Sequence, residues 1–388
     1  MKVLLYDWPS WTQTIIKNQL NKLYGSVDTF YYRPPKSMDI NEELYNIADK
    51  KIKTVKYDFV FSVNYFPPVA KACYDNNTPY VAWSYDCPLN VTKPEDSLWY
   101  PTNYVFMFDK SQVNLFNGMG FSNVWHLPLA VDTAYFDKYV PTKQHYEKYG
   151  NQVAFVGQIY NSTYPKIIPP LDEFERNYLD TVIRAQTDLY GSFLIDQYLN
   201  DDIIDRVNLC YRNKLADKTF QVSKKQLSYS MSTYVTFKER VTILTLLSKR
   251  FDVALYSGDK HELFEKIKYK GEVSYDSQMP YVFKCSDINL NITVKCLQTG
   301  IPQRALDIMG CGGFLLSNYQ EELLDVLVPD RDFVYYESFT DAFEKAKFYL
   351  EHEDLRKKIA RSGYEQMKEN YTFEDRFAFM ASKCPFMK

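Results

Sequence analysis

The sequence predicts a two-domain α/β protein, and three observations carry that prediction. Its 388 residues exceed what one ordinary hydrophobic core serves and suit two domains of roughly 150 to 200 residues each. Short apolar runs of strand length recur, separated by stretches of helical period, which is the pattern of buried parallel strands with helical crossovers. Aromatic residues make up 17% of the chain, with 34 Tyr and 26 Phe, so a large core can be filled although only 13 Gly are present.

The first element is residues 3–6. One Lys precedes a short apolar run that Asp7 ends, too brief for the apolar region of a signal peptide, so the run reads as a strand. Helical periodicity follows at 11–24 and 41–53, and further strands at 59–63, 80–83, 104–108 and 124–127. Between 131 and 152 the sequence turns polar and charged, which places a linker there. The first domain is then 1–145, joined by a terminal helix within 371–388. The second, 151–370, has strands at 153–156, 253–256, 288–292, 314–316 and 333–336, interrupted by a mainly helical insertion at about 171–250. Residues 338–382 read as helices with charged faces. Two such domains joined once create a cleft, and ligands of open parallel sheets bind beyond the carboxyl ends of the strands.

Charge and cysteine usage exclude several classes. The 46 basic and 49 acidic residues are interspersed and sum to −3, which argues against a nucleic-acid partner held by clustered cations. No stretch approaches the 18 or so apolar residues of a membrane span. Seven cysteines, odd in number and without a C-x-x-C pair, suggest neither a disulfide framework nor a zinc site and fit reduced thiols in the cytoplasm. His145, His261 and His352 lie in polar sequence and are expected to face solvent. Asp330-Arg331-Asp332 matches the short Asp-x-Asp string that can bind a divalent cation, but it follows Pro329 and precedes a strand, so it reads as a solvated loop and no metal is expected.

The window richest in chemistry is 289–317. Asn291 and Thr293 end a strand, Gly300-Ile301-Pro302 makes a turn, and a short helix carries Arg304 and Asp307 before Gly312-Gly313 and the next strand. A helix starting after Pro302 offers free backbone N–H groups and a positive dipole end to a phosphate, and Arg304 adds a fork of donors. Asp307, nearly on the same helix face, can accept from two vicinal sugar hydroxyls, or can simply pair with Arg304 on the surface. Gly157 and Gly258, each just after a strand, suit close approach of a ligand or serve as turn glycines. Tyr319 and Glu321 follow the next strand, and Glu321 either reaches a sugar or stabilises a helix N-terminus. In the first domain Trp8, Ser10, Asp86 and His126 follow strands. Asp86 is a general base or a cap for the turn before Pro88, and His126 a base or a hydrogen-bonded core imidazole.

The run G-I-P-Q-R-A-L-D-I-M-G-C-G-G-F-L-L-S at 300–317 resembles the C-terminal domain of CgeB-like, group 1-related bacterial glycosyltransferases of the GT-B fold. The resemblance extends to Glu321-Glu322-Leu323, to Arg356 and Gly363, and to Tyr371-Thr372-Phe373 before Arg376. In the first domain it rests on Tyr6-Asp7-Trp8-Pro9-Ser10, on Trp83-Ser84-Tyr85-Asp86-Cys87-Pro88-Leu89, and on His126-Leu127-Pro128-Leu129-Ala130-Val131-Asp132. It implies two Rossmann-like domains facing a central cleft and a metal-independent transfer of a sugar from a nucleoside diphosphate. UDP-GlcNAc or UDP-glucose is the implied donor, and a protein Ser/Thr or a surface glycan the acceptor. Arg304 would hold the diphosphate and Asp307 stand at the acidic ribose position. Gly157, Gly258, Asn291, Thr293, Tyr319 and Glu321 would complete the donor site. Thr299 stands where related enzymes carry another acid. That departure leaves open a catalytically silent GT-B protein of a coat or glycosylation complex. A glycosyltransferase acting on nucleic-acid bases is a third reading, and the insertion could bind the acceptor or mediate self-association into a homo-oligomer.

Overall fold

The computed structural model describes residues 1–10, 12–33, 41–215, 218–262 and 264–387. The chain divides into two compact units, Met1–Ala130 with Tyr371–Lys388, and Val131–Asn370.

The first unit is built on β1 (Val3–Asp7), β2 (Asp28–Tyr31), β3 (Phe59–Val63), β4 (Tyr80–Ser84), β5 (Asn103–Met107) and β6 (Val124–His126). They form one parallel sheet in the order β2-β1-β3-β4-β5-β6. Every residue of β3 and β4 is buried, because parallel strands are covered on both faces. Alternation sorts the side chains. Leu4, Val60, Ala82 and Val105 join one core with the helices Glu42–Thr54 and Pro67–Asp75. Phe61, Trp83 and Phe106 point the other way and meet Phe377, Phe373 and Phe379 of the helix Phe373–Lys383. Each such buried aromatic is worth about 1.5–3 kcal/mol over its exposed state. Arg376 fixes the helix by donating to the carbonyls of Pro128 (3.0 Å) and Leu129 (3.2 Å).

The second unit has β7 (Val153–Val156), β8 (Val253–Tyr256), β9 (Lys268–Tyr269), β10 (Ile288–Asn291), β11 (Leu315–Asn318) and β12 (Val334–Tyr336), again all parallel, in the order β12-β11-β10-β7-β8-β9. Its division from the first unit falls at Ala130, earlier than the polar stretch at 131–152 suggests. Tyr364 donates to Asp137 (2.7 Å), His145 stacks on Tyr281 with ring centres 3.8 Å apart, and Val131 packs against Gly310. Polar tips on apolar rings hide these contacts in the sequence. Gly363 lets the helix Glu353–Asn370 settle against Met309 and the Asp332 carbonyl, where a Cβ would collide.

The insertion is helical, as expected, with helices Glu173–Asp188, Leu194–Tyr198 and Asp201–Lys214 leading into the 25-residue helix Lys224–Ser248. It has its own core of Leu179, Ile183, Ile203, Val207, Leu227 and Met231. The long helix bridges two cores, since its later residues Val241, Leu244 and Leu247 belong to the core of the sheet. A capping box starts it, with Gln226 N–H donating to Ser223 Oγ (3.2 Å) and Ser223 N–H to Gln226 Oε1 (3.0 Å). No helix among the described residues is long and apolar enough to cross a membrane. All seven cysteines are free thiols.

Candidate functional site

The carboxyl ends of β7 and β10 gather most of the residues singled out in the second unit. Asn291, at the end of β10, is fully buried. Its amide donates to Thr293 Oγ1 and Ser317 Oγ, both at 2.9 Å, and its Oδ1 accepts from Arg304 Nη1 at 3.3 Å. Thr293 N–H in turn donates to Asn318 Oδ1 (2.9 Å). These bonds satisfy polar groups that burial would otherwise penalise, and they fix the strand ends under the helix Gln303–Gly310.

Arg304 lies in the first turn of that helix, with its guanidinium 5.0 Å from the centre of the Phe155 ring. Gly157 makes this placement possible. A Cβ there would stand 2.9 Å from Arg304 Cζ, and the backbone at Gly157 has φ +145°, a conformation side chains disfavour. The glycine therefore makes room for an arginine of this chain.

A second guanidinium belongs to Arg240, on the long helix. It is buried, donates to the carbonyls of Ile292 (3.1 Å from Nε) and Gln158, and lies over Phe155 and Tyr160. Burial and the Arg240 cation both lower the Arg304 pKa, and no carboxylate among the described residues comes within ion-pair distance of Arg304. The two guanidinium groups thus lie close together at a helix N-terminus, their charge partly offset through space by Asp307 for Arg304 and by Glu239 for Arg240.

Asp307 is 2% exposed, so it is neither an open carboxylate nor one half of a surface pair with Arg304. Tyr275 Oη (3.0 Å) and Gln303 Nε2 (2.8 Å) both donate to its Oδ1. Burial outweighs these bonds and raises its pKa to about 7.

Tyr319, Glu321 and Thr293 line a cavity of about 230 Å³ beside this cluster, closed on another side by Tyr190 and Gly191 of the insertion. Lys295 also lines it, 3.1 Å from the buried Glu239 and 3.8 Å from the Tyr190 ring centre, while Tyr190 Oη donates to Glu239 (2.8 Å). Thr299 donates to Glu322 Oε1 (2.8 Å), so a carboxylate lies next to the position where the sequence lacks one. Gly258 stands apart, beside the side chain of Glu272. Arg240, Lys295 and Tyr190 were not singled out in the sequence, because neither a charged residue in a long helical window, like Arg240, nor a polar or aromatic residue in a loop, like Lys295 and Tyr190, carries a mark of burial.

In the first unit Asp86 follows β4 and reaches the surface, yet nearby groups desolvate its carboxyl enough to raise its pKa. Asn64, at φ +66° after β3, holds this turn. Its Oδ1 accepts from the N–H groups of Tyr85 (2.7 Å) and Asp86 (3.1 Å), and its amide donates to Asp86 Oδ2 (2.8 Å). Trp8 is an anchor, with Nε1 donating to the Val63 carbonyl (3.0 Å) and its ring edge-on to Phe66. Ser10 is half-buried with its Oγ 3.1 Å from Thr12 Oγ1, and His126 is half-buried at the end of β6.

Of the other histidines expected to face solvent, His352 does, with its ring also stacked on Phe348, whereas His145 and His261 are half-buried, the first stacked on Tyr281 and the second against Phe237 and Phe264. Asp330 and Asp332 are occupied internally, the first accepting from Tyr349 (2.8 Å) and the second from Ser362 (2.6 Å) and the Val328 N–H (2.9 Å). Among the described residues, Asp172, Glu175 and Cys210 form the only acid and thiol cluster of metal-binding spacing, and Lys214 and Arg206 already pair with its carboxylates.

Two six-stranded parallel sheets with flanking helices are the GT-B fold. Solved structures agree over nearly the whole chain. A glycosyltransferase from Rickettsia africae aligns with TM-score 0.53 at 11% identity, over 100% of this chain and 98% of its own. The HepE protein of Anabaena, in complex with UDP and glucose, aligns at 0.54 and 11% over 99% of both. Sucrose-phosphate synthase from Thermosynechococcus elongatus aligns at 0.55 and 9%, over 99% of this chain and 98% of its own. Residues 240–382 match the family model described as glycosyl transferase-like. A search of the curated proteins finds no match.

Proposed function

We propose that the chain is a glycosyltransferase that takes a sugar from a nucleoside diphosphate, with UDP-glucose or UDP-GlcNAc as donor and a hydroxyl of a protein Ser/Thr or a surface glycan as acceptor. The observation that carries this is the Arg240 and Arg304 pair at the carboxyl ends of β7 and β10, beside a helix N-terminus and with no carboxylate among the described residues directly paired with Arg304, which Asp307 influences only through space. A diphosphate supplies the directly paired negative charge that Asp307 does not. The match of 240–382 to a glycosyl transferase-like family and the UDP complex of the structurally similar HepE support the same reading.

In this mechanism the acceptor oxygen forms a bond to the anomeric carbon while the bond from that carbon to the phosphate oxygen breaks. The electron pair leaves with the diphosphate, whose growing charge Arg304, Arg240 and the helix dipole stabilise, and this is work a divalent cation does elsewhere. Asp86 accepts the acceptor's proton. Its raised pKa makes it a stronger base than an open carboxylate. Asp307 Oδ1 is occupied, so its Oδ2 is the atom to receive ribose hydroxyls. The cavity beside Lys295 and Thr299 takes the sugar. Seven free thiols suit a reducing cytoplasm.

Titration calorimetry with UDP and with UMP tests the donor assignment. Binding of UDP at least tenfold tighter than UMP is expected, because only UDP carries the second phosphate. Equal affinities, or no binding of either, would remove the reading.

A further inference from the structure

We infer that the chain self-associates as a two-fold dimer through the helix Glu173–Asp188 of the insertion, whose outer apolar stripe seats the same helix of a second copy.

One face of this helix is accounted for, since Leu179, Val182 and Ile183 belong to the core of the insertion. The neighbouring face is also apolar and lies open. Phe174, Tyr178, Thr181 and Ala185 are four, three and four positions apart, the spacing of a seam that packs against another helix. Phe174 is 57% exposed, Thr181 and Ala185 are exposed, and Tyr178 is half-buried. Leu194 and Tyr198 of the next helix, the latter 51% exposed, complete a groove of about 540 Å³ along the stripe. The groove is preformed. Tyr178 Oη donates to the Tyr198 carbonyl (2.8 Å), Gln186 Oε1 accepts from the Leu194 N–H (2.7 Å), and the Arg206 guanidinium lies 4.3 Å from the Phe174 ring centre. Because the Tyr178 hydroxyl is used within the insertion, the wall it offers is carbon. Monomeric proteins rarely leave a contiguous apolar face of this kind open.

Size and charge along the helix select a second copy. In an antiparallel pair with Phe174 opposite Ala185 of the other copy, Tyr178 falls opposite Thr181, and the same pairs then repeat in reverse, as a two-fold axis requires. Each large ring thus meets a small side chain. Charge agrees with this register. Glu173 and Arg184, both exposed, are separated by the same eleven positions as Phe174 and Ala185, so each Glu173 lies within a turn of the Arg184 of the other copy. Other occupants fit less well. A sugar or a nucleotide would find few hydrogen-bonding groups on these walls. A membrane surface calls for an excess of cations, whereas Glu173 and Asp188 balance Arg176 and Arg184 along the exposed side of the helix. One helix face with its neighbouring groove is a small interface, so the association is of the transient kind.

Sedimentation velocity of the full chain, run up to about 300 µM, tests this. The expected result is a monomer–dimer equilibrium with a Kd of roughly 10–100 µM, the range of a small transient interface. Phe174→Glu and Ala185→Arg, both at exposed positions, should each raise that Kd about tenfold or more and leave thermal melts unchanged. Glu173→Arg alone should weaken the dimer about threefold or more, and Glu173→Arg combined with Arg184→Glu should restore it. A chain that is monomeric at every concentration would overturn the inference and leave the groove to a different partner. So would a dimer that Phe174→Glu and Ala185→Arg both leave intact, or one weakened by Glu173→Arg that the double reversal fails to restore.

Discussion

Replacing Arg304 with Met should weaken nucleotide binding without weakening the fold, a combination a structural arginine would not give. In the unliganded chain the guanidinium has one long hydrogen bond to a neutral amide, 3.3 Å to Asn291, and a second cation beside it. Its favourable contact is the Phe155 ring at 5.0 Å, worth ~0.5–2 kcal/mol, and Met retains part of it. Removing a buried charge and its repulsion from Arg240 offsets the remainder together with the lost attraction to Asp307, so apparent stability should change by less than ~1 kcal/mol, a shift of only ~2–4 °C in Tm. Against UDP the substitution removes a charge-assisted hydrogen bond worth ~1.5–3 kcal/mol, which is about 10- to 150-fold in Kd. Calorimetry with UDP and a thermal melt of the same samples read the two quantities. A large fall in Tm with unchanged UDP affinity would refute the reasoning and make Arg304 a structural residue.

Other substitutions test neighbouring parts of the account. Gly157→Ala should match Arg304→Met in lost UDP affinity, since a Cβ there displaces the guanidinium, and should add about 1–3 kcal/mol of backbone strain visible in denaturant melts. Asp307, raised by burial to about 7 from an ordinary value of 3.8, holds its proton more tightly folded than unfolded. Its contribution to stability is therefore complete below about pH 4 and declines as pH rises towards 7, and melts across that window should show a shallower decline in Asp307→Asn. Lys295→Met leaves Glu239 buried without its cation and should cost ~3–5 kcal/mol by chemical denaturation. Asp86→Asn should lower transfer to an acceptor by ~10²–10⁴-fold while leaving UDP affinity unchanged.

The parallel strands were legible because burial on both faces writes them as mainly apolar runs, as in β3 and β4, each of which holds a single serine. The edge strands β2 and β9 were not. Of Asp28–Tyr31 only Phe30 is buried, and both residues of Lys268–Tyr269 are exposed, so neither leaves an apolar run to read. Arg304 and Asp307 could be singled out because a proline turn, a helix start and a glycine pair surround them in sequence. Their environment could not. Tyr275 lies 32 residues from Asp307, and Arg240 lies 52 residues from the Ile292 carbonyl that fixes it. Those separations are closed by the β-sheet and the long helix, and no local pattern records them. The same limit explains Gly157, whose open space is filled by a side chain 147 positions later.

The central claim, a nucleotide-sugar site at the carboxyl ends of β7 and β10, is tested most directly by incubating the purified chain with UDP-glucose and UDP-GlcNAc and following released UDP. The account predicts slow release from one of the two donors, competitive inhibition by added UDP, and loss of release in Arg304→Met. Release that Arg304→Met leaves untouched would contradict it. So would the absence of release together with the absence of any binding of either donor.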